Sequence, residues 1–372
     1  MKTNWQIKKL GEICDVGAGN SAPQKKDFFI DGIYPFFRTS DIGQIHIGSI
    51  LKSFDHLNEK GIKGLKLFNK GTILLPKSGA STFLNHRVIM GINGYVASHL
   101  ATVKTNEKVL NNYFLFYFLQ GIKVQDLIQD HKYPSLNLPV IKQIKIPFPP
   151  FSEQKRIVKI LDEVFEKTGK AKENVEKNLQ NAKELFKSYL QSIFANPGKN
   201  WKDKEIGEFL KLEYGKPLNK KDRNSNGKFP VYGANGEKAR TDKFYYDKPT
   251  IIIGRKGSAG ELNLTESKFW PLDVTYFVVF DEKKYNLKFI YFLLLTLKLT
   301  KLAKGVKPGI NRNDVYSINI FIPSLKEQKS IVKKLDKLSI QTKKLEEVYK
   351  KKLLDLEELK KSVLKRAFNG EL

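Results

Sequence analysis

The sequence PPFSEQKRIVKILD occupies positions 149–162, and PSLKEQKSIVKKLD occupies positions 323–336. Both stretches carry Glu-Gln shortly before Ile-Val, and both open a long segment rich in lysine and glutamate. A constant offset of 174 positions relates them without a gap from Glu153/Glu327 to Phe194/Phe368. An ungapped match of that length indicates an internal duplication, which organises the rest of the chain.

The two repeated segments, 151–198 and 325–372, have the pattern of long helices. Apolar or small residues recur in alternating steps of four and three, the heptad pattern of a coiled coil, and Ser152 is the expected N-cap of the first helix. At 1.5 Å per residue each rod is roughly 65 Å long, so the two are expected to pair as an antiparallel coiled coil. The expected seam residues, meaning the apolar positions between the helices, are Ile157, Leu161, Val164, Val175, Leu185, Tyr189, Ile331, Leu335, Leu338, Leu345, Leu356, Leu359 and Val363.

The remaining segments, 1–150 and 199–324, have the pattern of mixed α/β (α+β) domains. Short apolar runs alternate with Gly, Asn and Asp turn signals, which favours strands. The two segments also match each other: KGTILLPKSG at 70–79 corresponds to KPTIIIGRKG at 248–257, and an apolar helical stretch at 111–121 to one at 287–297. The predicted layout is domain–helix–domain–helix, a nearly circular arrangement with a pseudo-two-fold axis.

One stretch differs in length between the two domains. The offset is 195 positions between Pro35 and Pro230 but 178 between Thr72 and Thr250. About 17 extra residues therefore lie between positions 36 and 71 of the first copy. The framework is duplicated, whereas this segment is not.

The composition points to a polyanionic partner. The chain of 372 residues has a formal charge of +27 and a pI near 9.7, which favours nucleic acid, although a lysine-rich genome is the alternative source of the charge. Cys14 is the only cysteine, which is typical of a reducing compartment. The N-terminal residues do not resemble a signal peptide, and the most apolar runs, 113–119 and 289–295, are too short to span a bilayer. A cytoplasmic location is expected.

Motifs for catalysis are missing from the sequence. All five histidines lie in the first half, so a duplicated histidine site is excluded, and a single cysteine excludes cysteine-based zinc sites. There is no phosphate-binding Walker loop. The stretch Phe148-Pro149-Pro150-Phe151 resembles an amino-methyltransferase motif, but Phe148 replaces the polar residue that binds the target amine. No catalytic residue, metal or cofactor is expected in this chain.

Binding is the positive signal. Loops rich in Lys, Arg, Asn, Ser and Gly occur at equivalent places in both halves, and such side chains read base edges or hold phosphates. The alternative for each residue is a solvated charge or a turn-forming side chain. The candidate DNA contacts are Arg38, Lys77, Ser78, Lys132, Tyr133, Asn137, Arg255, Lys256, Ser258, Lys307, Asn311 and Arg312.

These features resemble the specificity subunit of type I restriction-modification systems. That family has two target-recognition domains, separated and followed by long helices, with a Pro-Pro-x-x-Glu-Gln-x-x-Ile pattern at the helix entry. The first copy carries Pro149, Pro150, Glu153, Gln154 and Ile157. The second copy departs from the pattern only at Ser324, which replaces the second proline.

The resemblance implies a non-catalytic subunit in which each domain reads one half of a bipartite, non-palindromic DNA site. The helices would set the spacer and dock two DNA adenine methyltransferase subunits, and endonuclease/translocase subunits would join for cleavage. S-adenosylmethionine, ATP and Mg would bind those partners. Three alternatives remain: the recognition subunit of a type II system that cuts on both sides of its site, a non-specific DNA-binding coiled-coil scaffold, and a fused methyltransferase-nuclease.

Overall fold

The computed structural model describes residues 5–45, 47–128 and 135–372. The chain divides into two compact units, Met1–Val175 with Lys352–Leu372, and Glu176–Lys351, which we call the first and the second unit. Each unit combines a globular α/β part with one segment of each long helix. The domain boundaries expected at residues 150, 198 and 324 therefore stay predictions.

Apart from two short helices and one strand that occur only in the first unit, the helices and strands follow one order in both units. The long helices are α5 (Phe151–Ala195) and α8 (Leu325–Phe368). The first unit also contains β1 (Gln6–Lys9), α1 (Leu10–Ile13), β2 (Cys14–Ala18), β3 (Tyr34–Phe37), α2 (Thr39–Ile45), β4 (Ile47–Ile50), β5 (Asp55–Leu57), β6 (Ile73–Pro76), β7 (Arg87–Met90), β8 (Tyr95–Val96), β9 (Leu100–Thr105), α3 (Asn112–Gln120), α4 (Leu138–Gln143) and β10 (Lys145–Phe148). The second unit also contains β11 (Lys202–Glu205), β12 (Leu210–Tyr214), β13 (Phe229–Gly233), β14 (Gly236–Thr241), β15 (Thr250–Gly254), β16 (Leu262–Thr265), β17 (Trp270–Pro271), β18 (Thr275–Phe280), α6 (Leu287–Thr296), α7 (Arg312–Tyr316) and β19 (Asn319–Ile322).

The two globular parts share one sheet plan, which confirms the predicted duplicated α/β fold. The main sheet has the order β2-β9-β6-β7-β4 in the first unit and β12-β18-β15-β16 in the second. A three-stranded sheet follows in each, β5-β3-β8 and β14-β13-β17, with one antiparallel and one parallel pair. The two-stranded sheets β1-β10 and β11-β19 join the start of each globular part to the strand before the long helix.

The extra residues of the first copy form α2 and β4. Strand β4 pairs in parallel with β7 and adds a fifth strand to the main sheet. The buried carboxylate of Asp41 holds this insertion in place, because it accepts hydrogen bonds from the backbone N–H groups of Arg38 (2.6 Å) and Phe54 (2.7 Å). The length difference seen in the sequence is therefore one helix and one edge strand.

An apolar helix in each globular part packs against the long helices. Asn111 caps α3 by accepting from the backbone N–H of Tyr113, and Asn286 caps α6 in the same way from Phe289. The ring of Phe114 lies 5.1 Å from that of Phe368, and the ring of Phe289 lies 5.4 Å from that of Phe194, measured between centroids. These contacts anchor α8 in the first unit and α5 in the second.

The glutamine of the repeated motif is a buried hydrogen-bonding link. In the first unit, Gln154 accepts from the backbone N–H of Asn111 (2.8 Å) and donates to the carbonyls of Val109 (3.1 Å) and Pro149 (3.0 Å). Its side chain is fully buried. It therefore satisfies backbone groups at the start of α3 and at the entry to α5 together.

Gln328 repeats this arrangement in the second unit. It accepts from the N–H of Asn286 (2.8 Å) and donates to the carbonyls of Lys284 (3.3 Å) and Pro323 (3.0 Å). The neighbouring Glu327 accepts a hydrogen bond from the indole N–H of Trp201 (2.9 Å). The motif that revealed the duplication is thus the joint between each long helix and its globular part.

The two helix entries differ at their caps. Helix α5 begins at Phe151, so Ser152 lies inside the first turn and the N-cap prediction was wrong. In the second copy, Ser324 precedes α8, and its hydroxyl lies 3.4 Å from the backbone nitrogen of Glu327. The serine that replaces proline in the motif therefore supplies a cap that the first copy lacks.

Within each unit the two long helices pack antiparallel, as predicted. In the first unit, Arg156 near the start of α5 donates to the carbonyl of Leu372, and Lys172 further along pairs with Glu357 (3.2 Å). In the second unit, Leu190 near the end of α5 lies in one buried cluster with Ile331 and Leu335 near the start of α8.

Four predicted seam residues are wrong. Leu185, Tyr189, Leu345 and Leu359 are exposed by 49, 37, 40 and 46 %. On α5 the buried positions after Ala182 are Leu190 and, in part, Phe186, so the apolar stripe advances in steps of four there. A strict heptad repeat has 3.5 residues per turn, whereas a straight α-helix has 3.6. Over several turns the heptad positions therefore rotate away from the buried face, and here the predicted residues lie one position from the buried ones.

Candidate nucleic-acid interface

Two loops meet beyond the end of β15 in the second unit. The carbonyl of Arg255 accepts from the N–H of Ile310 (3.0 Å), and the N–H of Gly257 donates to the carbonyl of Pro308 (2.9 Å). These backbone bonds join the loop after β15 to the loop before α7. The two basic loops that the sequence predicted separately therefore form one surface.

Tyr214, the last residue of β12, organises the charges of this surface. The guanidinium carbons of Arg255 and Arg312 lie 5.3 and 5.2 Å from the centroid of its ring, within the range of cation–π attraction. Arg255 is further held by the carbonyl of Asp273, to which Nε and Nη2 donate at 3.0 and 2.6 Å. Burial, followed by a hydrogen bond with Tyr214, raises the pKa of Tyr276 to about 12. The ring of Tyr276, on the paired strand β18, lies edge to face with that of Tyr214, with 5.1 Å between the centroids.

The other predicted contacts of the second unit surround this pair of arginines. Lys256 and Lys307 are exposed, and Ser258 is half-buried in the loop after β15. The side-chain oxygen of Asn311 accepts from the N–H of Asn313 (3.0 Å) and caps α7. The side-chain oxygen of Asn311 therefore already has one structural partner, while its NH₂ group remains available to a ligand.

The equivalent loops of the first unit also meet, with different chemistry. The carbonyl of Lys77 accepts from the N–H of Leu136 (2.8 Å), and its N–H donates to the carbonyl of His99 (3.0 Å). The Ser78 hydroxyl lies 2.8 Å from Nδ1 of His99. One lysine with a serine–histidine pair thus replaces the two arginines of the second unit.

Arg38 lies in a cleft of about 390 Å³ beside these loops. Its guanidinium forms an ion pair with Asp55 and lies 5.0 Å from the ring centroid of Phe36 and 5.6 Å from that of Phe29. Asp55 thus neutralises much of the charge that predicted a DNA contact for Arg38. The cleft is lined by Ser21, Ala22, Gln24, Arg38, Thr39, Ala97, Ser98 and His99.

Three predicted residues belong to the loop before α4. Lys132 and Tyr133 lie outside the described residues. Asn137 is exposed just before α4, and its side-chain oxygen accepts from the Ser135 hydroxyl (3.0 Å). Asn137 is therefore exposed with one partner on its side-chain oxygen, as is Asn311 in the second unit.

Sequence reasoning missed Tyr214 and His99 as members of these surfaces. Tyr214 ends a strand far from the basic loops along the chain, and only the pairing of β12 with β18 brings it to them. His99 precedes β9 and was considered from the sequence only as a member of a metal or other histidine-based site. The available signal was that Tyr214 ends a strand and His99 comes just before one.

The described residues hold neither a metal-ligand cluster nor a membrane-spanning helix. No cluster of three or more His, Cys, Asp or Glu side chains there has the spacing of a metal site. No described helix is long and apolar enough to cross a membrane.

Comparison with known proteins identifies the family. A family profile described as "Type I restriction modification DNA specificity domain" matches residues 2–180 and 198–355. The chain is 24 % identical to the type I restriction enzyme MjaVIII specificity subunit of Methanocaldococcus jannaschii, over 99 % of this chain and 93 % of that protein. It is also 24 % identical to the EcoprrI specificity subunit of Escherichia coli, over 87 % of this chain and 84 % of that protein.

Solved structures share the fold. A chain from a study of complex assembly and conformational transition in a type I R-M system matches with a TM-score of 0.83 at 18 % identity, covering 100 % of this chain and 99 % of that one. The HsdS subunit from Thermoanaerobacter tengcongensis matches with a TM-score of 0.67 at 17 % identity, covering 100 % and 98 %. The likeness spans both globular parts and both long helices.

Proposed function

The chain belongs to the family of type I restriction-modification DNA specificity proteins, and on that premise we propose that each of its two units reads one half of a bipartite, non-palindromic DNA site. Proteins of this family are the DNA sequence-recognition subunits of their systems and are not catalytic. The chain therefore recognises DNA, and enzymatic activity resides in partner subunits.

The unlike loops of the two units are the observation that carries this proposal. The corresponding loop surface carries Arg255, Arg312 and Tyr214 in the second unit, but Lys77, Ser78 and His99 in the first. Arginine offers only donors, whereas a serine–histidine pair offers both donors and acceptors. Two surfaces with different hydrogen-bonding groups select different base edges, so the two half-sites differ in sequence.

The exposed lysines around these surfaces are proposed to hold phosphates. Lys256 and Lys307 project from the loops of the second unit, and the net charge of +27 favours DNA at long range. Arg38, Lys132, Tyr133, Asn137, Ser258 and Asn311 remain proposed contacts. Which of them touch bases and which touch phosphates depends on the geometry of the bound duplex.

The long helices are proposed to set the spacer between half-sites and to dock two adenine methyltransferase subunits. The side chains outside the helix pair support docking: Ile340 and Leu354 are exposed by 68 and 67 %, in addition to the four leucine and tyrosine side chains displaced from the predicted seam. Apolar side chains in such number on a helix surface favour a protein partner. Endonuclease/translocase subunits would join this assembly in the cytoplasm, with S-adenosylmethionine, ATP and Mg on the partners.

Genome-wide mapping of methylated adenine tests the proposal. A strain with the gene is expected to carry a bipartite methylated motif that a strain with the gene deleted loses completely. Supplying the gene on a plasmid should restore the same motif. An unchanged methylation pattern after deletion would contradict the proposed function.

A further inference from the structure

We propose that Tyr214 positions Arg255 and Arg312 as a paired reader of guanine, so that the half-site of the second unit contains G·C pairs contacted in the major groove. This inference rests on the proposed function and specifies its chemistry. It adds Tyr214, which contacts no base itself, as a residue that determines specificity through two others.

The guanidinium of Arg255 is held in one orientation, but some of its hydrogen-bond donors have no partner among the described residues. A guanidinium has five N–H donors, and the carbonyl of Asp273 takes two of them, from Nε and Nη2. The remaining donors include both N–H groups of Nη1. The ring of Tyr214 and the carbonyl of Asp273 therefore fix the plane of the guanidinium while leaving one edge for a ligand.

Arg312 is held from a different element. It is the first residue of α7, whose start is fixed by the Asn311 cap. Within the part of the chain that the structure describes, its guanidinium contacts the ring of Tyr214 and makes no hydrogen bond or ion pair through its side chain. Its five donors are therefore open to a ligand.

The charges of this pair have no acidic partner among the described residues. Elsewhere in the second unit, Arg240 pairs with Glu237 and Lys304 pairs with Asp314. Arg255 and Arg312, by contrast, share one aromatic ring and keep their net charge. Two cations held together without a carboxylate form a site prepared for a ligand that supplies acceptors.

Guanine is the base that fits such a site. Its major-groove edge presents two acceptors, O6 and N7, which match the planar fork of arginine, whereas the adenine edge includes an N6 donor that would oppose it. A phosphate needs no fixed plane, and the exposed Lys256 and Lys307 can serve it. The fixed orientation of the Arg255 guanidinium therefore favours a base edge over the backbone.

The first unit supplies a natural comparison. At the three equivalent positions it carries Ala18, Lys77 and Leu138, so it has neither the ring nor the pair of guanidiniums. The equivalence holds in the structure, because β2 pairs with β9 as β12 pairs with β18. Recognition of guanine by a tyrosine ring with two arginines is therefore expected in one half-site only.

The test uses the assembled complex and a duplex that carries its mapped methylation motif. Each guanine in the half read by the second unit is replaced by 7-deazaguanine, which lacks the N7 acceptor but still pairs with cytosine. The wild-type complex is expected to lose about 10- to 100-fold in affinity at one or two positions. Arg255→Met or Arg312→Met should bind more weakly and become insensitive to the same replacement.

Variants of Tyr214 separate positioning from folding. Tyr214→Phe keeps the ring and should retain the preference for guanine, whereas Tyr214→Leu should lose most of it. Binding to an unrelated duplex and the unfolding temperature should stay near wild type in both. If Tyr214→Leu and wild type distinguish guanine from 7-deazaguanine equally well, the positioning role of Tyr214 is overturned.

The inference and the proposed function fail in different ways. If the second half-site contains no guanine, or if 7-deazaguanine has no effect on a complex that still selects its motif, the guanine reader is wrong and sequence recognition stands. If the wild-type complex binds all duplexes alike, the proposed function is itself overturned, and the inference falls with it.

Discussion

Replacing Gln328 by alanine should destabilise the second unit strongly, although the residue is not among the proposed DNA contacts. The side chain is almost completely buried and makes three hydrogen bonds to the backbone of Asn286, Lys284 and Pro323. Its loss leaves one N–H and two carbonyls without their partner. Each unsatisfied buried group costs roughly 1–3 kcal/mol, so three such groups at the lower end of that range give an expected loss of about 3 kcal/mol in the free energy of unfolding.

Thermal unfolding and hydrogen exchange measure this effect. For a unit of this size, 1 kcal/mol shifts the unfolding temperature by about 2–4 °C, so Gln328→Ala should lower it by about 10 °C. Exchange at the N–H of Asn286 should accelerate, because that proton loses its acceptor. The matched control is Gln341→Ala, an exposed position on the same helix, which should change the unfolding temperature by no more than about 2 °C.

The equivalent change in the first unit provides a second control. Gln154→Ala should accelerate exchange at the N–H of Asn111 and leave that of Asn286 unchanged, since each glutamine serves its own unit. If Gln328→Ala were no more destabilising than Gln341→Ala, the claim that the repeated motif is a structural joint would be refuted.

Other variants test separate features, all by chemical or thermal unfolding unless stated. Leu190→Ala should lower the free energy of unfolding by about 2–4 kcal/mol because the side chain is buried, whereas Leu185→Ala should lower it by under about 1 kcal/mol. Equal losses would support the predicted seam, in which Leu185 is buried. Burial raises the pKa of Cys14 from 9.0 to about 12, so the fraction of thiolate at pH 8 falls about 1000-fold. A thiol reagent should therefore label Cys14 slowly in the folded chain and rapidly once guanidinium unfolds it. Rapid labelling of the folded chain would contradict that burial. Gly169→Ala, in a helix with open space around it, should stabilise by about 0.5–1 kcal/mol, and a loss would contradict the open site. Gly215→Ala should destabilise, because its Cβ would clash with the backbone carbonyl oxygen of Leu272; a neutral effect would contradict that close approach.

The duplication allowed much of the fold to be predicted. An offset of 174 positions located both long helices, and the change of offset between residues 36 and 71 located the insertion that forms α2 and β4. Such features follow from local sequence, because helix pattern and segment length are properties of the chain itself. The antiparallel pairing also followed, since each helix needs a partner along its apolar face.

The errors arose where tertiary packing decides. Leu185 and Tyr189 satisfy a heptad pattern, but the buried face follows Leu190, and a shift of one residue turns a side chain by about 100° around the helix axis. Sequence alone also gave no reason to separate Arg38, which Asp55 neutralises, from Arg255, which no acid opposes. In both cases the deciding contacts join residues distant along the chain.

The sequence predicted which loops form the binding surfaces, but not which of their side chains act together. Arg255 and Arg312 were identified one by one, and the structure joins them through Tyr214. A tyrosine at the end of a strand has no sequence signature for such a role. The pairing of strands therefore carries information about specificity that charge patterns do not.

Exchange of one recognition segment tests the account most directly. Residues 201–324 are replaced by the equivalent segment of a relative with a different methylation motif, and methylated adenine is mapped across the genome. The account predicts that one half of the bipartite motif changes to that of the donor while the other half stays the same. A motif altered in both halves, or in neither, would contradict the claim that each unit reads its own half-site.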